Sequence, residues 1–189
     1  MERSFEAVLV EQCATTLAGV KPASLFRYQG ADRRQSREAA ARWAKELAPY
    51  GITVRILKVC PQTGACLIYL YRAGWLRSIL SEPSNRAFLA RQGYQTDQDC
   101  PGLLRQLSRR LCLEREFPHE IGVFLGYPLE DVVGFIRNQG QGFTCCGCWK
   151  AYGDPDAAAR HFAQLNKCTR VYLRLFHEGT PIFRLAVAA

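Results

Sequence analysis

A chain of 189 residues with 48% hydrophobic and 22% charged content has the length of one ordinary domain and enough apolar residues for a core, which excludes a disordered chain. No apolar run approaches the roughly 20 residues that span a bilayer, and the N-terminus lacks the basic, apolar and small-residue succession of an export signal, so a soluble, cytoplasmic protein is expected. The net charge of +8 favours phosphates or acidic partners, but the basic residues are dispersed and no RNA-binding or helix-turn-helix signature accompanies them, so nucleic acid is not the expected partner.

Phe5 to about Leu17 has helical spacing and stops at Gly19, after which Ser24 to Tyr28 has strand character. Asp32 is placed to cap an alanine-rich helix from Arg33 to Ala48, which Pro49-Tyr50-Gly51 ends. Ile52 to Val59 alternates as a strand, Pro61 to Gly64 makes a turn, and Ala65 to Arg72 returns as an apolar strand. A β-α-β unit with an attached hairpin follows from this order. Gly74 to Glu116 carries short helical pieces broken at Pro83, Gly93 and Pro101.

Ile121 to Leu125 reads as a short buried strand, and Pro128 opens a helix whose first turn holds Glu130 and Asp131, with Gly140 past its end. Trp149 to Tyr152 suggests a strand, Asp154-Pro155 starts a long helix to about His177, and Pro181 to Val187 reads as a closing strand. The expected class is α/β, with a mixed α+β variant: one compact domain over residues 1–189, with a central mixed sheet, one hairpin and flanking helices.

The runs Phe117 to Ile136, Cys148 to Asp154 and Lys167-Cys-Thr169, together with Cys13 to Phe26 and the Leu67 to Arg72 strand, resemble the uncharacterised bacterial domain-of-unknown-function family 3793. The resemblance covers almost the whole chain, although Cys148 stands where the family pattern has an aromatic residue. It implies an origin among anaerobic bacteria and a redox or iron-linked setting beside an acidic, flavodoxin-like partner. It supplies no catalytic residues.

Nine cysteines are many for a domain that does not depend on disulfides, and reduced thiols are expected. Cys145, Cys146 and Cys148 lie within four positions, and Cys168 lies on the helix that follows. Soft thiolates at such spacing can hold zinc, iron or an iron-sulfur cluster, and two nearby thiols can exchange with a disulfide. A strand and a helix folded back about Asp154 would each run about 20 Å, bringing Cys168 beside the other three. The competing reading is inert structural cysteines.

Arg33, Arg34 and Arg37 sit in the first turn of a helix, where cations oppose the dipole. An anionic ligand or acidic partner would compensate them, with Lys21 joining if its loop folds back; a solvated basic face is the alternative. His119 beside Glu120 is a candidate acid-base or ligand residue, although adjacent strand residues point to opposite faces. An anion site at the helix after Pro128 is rejected because Glu130 and Asp131 already complement that helix end.

Three functions are therefore expected to compete. The first is a redox- or metal-linked accessory protein acting with a flavodoxin-like partner. The second is a small-molecule enzyme or anion-binding module with a basic pocket, and the third is a cofactor-free interaction protein.

Overall fold

Phe5, Leu9, Cys13 and Leu17 recur every four residues, and all four are buried in the helix they form, α1 (Phe5–Leu17). The Ser4 hydroxyl caps it by accepting from the Ala7 N–H at 3.1 Å. The computed structural model containing this helix describes residues 3–114 and 116–188. Contacts divide the chain into two units: the first takes in residues up to Trp75 and from Cys168 onward, the second Leu76–Lys167.

In the first unit β1 (Ala23–Tyr28), α2 (Arg33–Leu47), a 3-10 turn (Ala48–Tyr50), β2 (Ile52–Val59) and β3 (Cys66–Arg72) follow in the expected order. The tight connection after β2 lays β3 antiparallel against it, and β3 also pairs antiparallel with β1, placing Ile68 between Phe26 and Ile56. The strands joined by α2 run the same way but never touch, because β3 fills the place between them. The mixed α/β class is thus present, while both ladders of this sheet are antiparallel where mixed pairing was expected.

Every residue of β3 except Leu67 is buried, as suits the central strand of a covered sheet. The core joins Leu9, Leu17, Phe26, Leu47, Ile52, Ile68 and Leu70 to Ile182 and Leu185. Each fully buried aliphatic side chain contributes about 1.5–3 kcal/mol relative to exposure. Ile182 and Leu185 lie on α9 (Ile182–Leu185), where a closing strand was expected. Burial at Ile182, Leu185 and Ala186 has helical spacing, Pro181 stands at the N-cap, and the Ala186 N–H donates to Ile182 O at 3.0 Å.

Arg72, only 2% exposed, ends β3 beneath these segments. Its Nε donates to Thr16 O at 2.8 Å, and its Nη2 donates to Leu17 O at 2.8 Å and Val187 O at 2.9 Å. Thr16 and Leu17 are in the last turn of α1, whose carbonyls have no partner within the helix, so a buried cation caps it.

The second unit contains α4 (Pro83–Arg91), α5 (Cys100–Leu113), α6 (Ile121–Phe124), α7 (Leu129–Arg137), β4 (Cys145–Cys146) and β5 (Lys150–Ala151). The unit boundaries fall inside α3 (Ala73–Ser81) and α8 (Pro155–His177). Ile121 to Leu125, expected as a strand, is helical, and the Leu125 N–H donates to Ile121 O at 3.0 Å. Gly122 permits this, because a Cβ there would lie 2.7 Å from the Val132 side chain of α7. Before α6, Glu120 is buried and accepts from Tyr94 Oη at 3.0 Å and Arg110 Nη1 at 3.2 Å. Among the described residues, no helix is long and apolar enough to cross a membrane.

Candidate functional site

Asp131, in the first turn of α7, is 5% exposed, and a buried carboxylate must be met by donors. Three arrive from the segment after β4. Trp149 Nε1–H donates to Oδ2 at 2.7 Å, while the backbone N–H groups of Tyr152 and Gly153 donate to Oδ1 at 2.7 and 3.4 Å. The carboxylate therefore fixes both the indole and the chain leading into α8. A Cβ at Gly153 would fall 2.4 Å from Glu130 Oε1, so a larger residue here would displace that carboxylate.

Trp149 leaves the β4–β5 hairpin half-buried among other rings. Tyr127 stacks on it with centroids 4.6 Å apart, Phe162 of α8 meets it edge-on at 4.6 Å, and His161 meets it edge-on at 5.5 Å. Burial pushes the Tyr127 phenol up to about 12, with the nearby Cys148 adding in the same direction. The Thr144 hydroxyl donates to Ala151 O and Gly153 O at 3.1 and 2.8 Å, holding the far side of the hairpin.

These elements enclose a pocket of about 300 Å³ whose wall includes Pro128, Glu130, Asp131, Trp149, Asp154 and His161. Three carboxylates line it, and no lysine or arginine does. Asp131 is occupied as described, and Asp154 caps α8 by accepting from the N–H groups of Asp156 and Ala157 at 2.9 and 3.2 Å. Glu130 is exposed and makes no salt bridge or hydrogen bond among the described residues. The pocket thus offers one uncommitted carboxylate beside an aromatic wall, an arrangement suited to a cation carrying an apolar or flat group.

The four thiol candidates fall in both units. Cys145 and Cys146 form β4 opposite Ala151 and Lys150, and Cys148 lies in the turn, its thiol 3.9 Å from Asn166 Oδ1. Cys168 belongs to the first unit, where its thiol is 3.9 Å from Ala14 O and burial raises its pKa. Among the described residues, no group of three or more His, Cys, Asp and Glu side chains could hold a metal ion. None of the nine cysteines is in a disulfide.

The basic candidates are already engaged in part. Arg33 Nη2 donates to Pro61 O, and Arg34 pairs with Glu38 at 2.6 Å. Arg37 is exposed on α2. Lys21 precedes β1 and the arginines follow it, so the length of the strand, about 20 Å for six residues, separates them. His119 is exposed outside any strand, its ring 4.8 Å from that of Phe135, while its neighbour Glu120 is buried with Tyr94 and Arg110.

The pocket residues escaped the sequence reading, which took Glu130 and Asp131 only as complements to a helix dipole. A signal was present: 126–136 and 151–159 together hold Glu130, Asp131, Asp154 and Asp156 and no lysine or arginine, in a chain of net charge +8.

The model of a family described as a protein of unknown function (DUF3793) matches residues 9–186, and the chain belongs to that family. No curated protein and no solved structure matches it significantly.

Proposed function

We propose that this family member is a binding module for a small organic cation, an amine or guanidinium joined to an apolar or aromatic group, held in the pocket between α7 and the start of α8. The observation that carries the reading is the reversal of charge: a chain of +8 lines this one pocket with three carboxylates and neither lysine nor arginine. Glu130 would take the ligand's N–H groups, and a charge-assisted hydrogen bond of this kind contributes about 1.5–3 kcal/mol. Trp149, part of the pocket wall, would meet the ligand's carbon skeleton, and Asp131 holds that ring in place.

The test is a titration with benzylamine, followed by tryptophan fluorescence, with benzoate as the anionic counterpart. Benzylamine should give a saturable change, benzoate none, and Glu130→Gln should weaken the benzylamine response about tenfold or more with an unchanged melting temperature. Binding of benzoate in preference to benzylamine, or an undiminished response in Glu130→Gln, would overturn the reading.

A further inference from the structure

We propose that Cys146 and Cys148 are a dithiol that closes reversibly into a disulfide across Gly147, by exchange with a low-molecular-weight disulfide. Both residues are exposed, Cys146 opposite Lys150 in the β4–β5 ladder and Cys148 in the turn, whereas Cys145 is half-buried. Residues separated by one other have Cα atoms at most about 7 Å apart in an extended chain. The chain bends at Gly147 and Cys148, with Gly147 N–H donating to Trp149 O at 3.0 Å. Disulfides take Cα separations of about 4.4–6.8 Å, within this reach.

The alternative pair is less suited. Cys145 and Cys146 are consecutive in a strand, so their side chains point to opposite faces and their Cα atoms are about 3.8 Å apart, below the disulfide range. Gly147 is required by packing, since a Cβ would fall 2.2 Å from the Phe162 ring, and this leaves the smallest link between the two thiols. The 3.9 Å approach of the Cys148 thiol to Asn166 Oδ1 is a weak contact to give up.

The exchange balances in two displacements. The thiolate of one cysteine attacks a sulfur of the small disulfide, forming a mixed disulfide and releasing one thiolate. The second cysteine, deprotonated, attacks the protein sulfur of that bond and releases the other thiolate. The two protons lost by the protein are taken up by the released thiolates, so the protein loses two electrons and the reagent becomes two thiols.

The reduced, folded full-length protein would be incubated with oxidised glutathione, acid-quenched, denatured and alkylated, then mapped by peptide mass spectrometry. The expected result is two fewer alkylated sulfurs than the nine present, with the peptide bearing Cys146 and Cys148 lighter by two hydrogens. Cys148→Ser should instead accumulate glutathione on Cys146, and Cys146→Ser on Cys148. Nine alkylated thiols, glutathione on both residues without closure, or linkage of any other pair would each overturn the proposal.

Discussion

The Arg72 guanidinium donates to Leu17 O at 2.8 Å and, through the same Nη2, to Val187 O at 2.9 Å, so one side chain joins the end of α1 to the segment after α9. Val187 N–H donates in turn to Leu17 O at 2.9 Å. Arg72→Met should leave the carbonyls of Thr16, Leu17 and Val187 without this donor and destabilise the protein by about 2–4 kcal/mol. Arg72→Lys should recover part of the loss, since an ammonium lacks the planar fork that reaches several carbonyls at once. Urea denaturation of both variants checks the order; equal stability of wild type and Arg72→Met would remove the capping role.

Asp131 gathers three donors at a buried position, so Asp131→Ala should cost about 3–5 kcal/mol, the range for breaking a buried charged network. The near-isosteric Asp131→Asn keeps the volume but cannot accept on both sides, and an intermediate loss is expected. Thermal melting gives the stability. Tryptophan emission shifted to longer wavelength in Asp131→Ala would report the release of Trp149.

Tyr152 supplies a contrast. Its hydroxyl oxygen is buried with no hydrogen-bond partner among the described residues, so Tyr152→Phe should be neutral or stabilise by up to about 1 kcal/mol. Gly134→Ala, by comparison, would put a Cβ 2.4 Å from Cγ of the same ring, and backbone or ring must then move. A destabilisation of about 1–3 kcal/mol is expected for that overpacking. Comparing the two melts separates the ring's packing from its hydroxyl.

Alkaline pH should weaken the fold. Burial raises the Tyr127 phenol from an ordinary value of 10 to about 12, and burial raises Cys13 and Tyr94 as well. Between pH 10 and 12 unfolded Tyr127 would lose its proton while the folded residue keeps it, so the unfolded state binds fewer protons and stability falls as pH rises. The contribution is complete below pH 10 and gone above 12. Tyr127→Phe, which keeps the stack on Trp149, should flatten the decline in chemical-denaturation stability across that window; an unchanged slope would count against it.

The first half of the fold was legible because its signals are local. Phe5, Leu9, Cys13 and Leu17 mark a helix stripe, and Asp32 is placed to cap α2, where its Oδ1 accepts from Gln35 N–H at 2.7 Å. Ile121 to Leu125 was misread because five mostly apolar residues fit a buried strand and a buried helical turn equally well, and only the packing of Gly122 against Val132 decides between them. The sheet's pairing was hidden for a related reason: strand order depends on which strand fills the gap after a helical crossover. The pocket was least legible, because Asp131, Trp149 and Tyr152 meet over eighteen to twenty-one positions, and neither periodicity nor motif encodes such a meeting.

The division of the chain sets the order in which it can acquire structure during synthesis. Residues 76–167 are contiguous and can pack as soon as they are made, whereas the first unit needs Ile182 and Leu185 for its core and Val187 for its arginine. Until those residues are made, the three-stranded sheet lacks part of its apolar cover. The α9 segment thus completes a core that α1 begins.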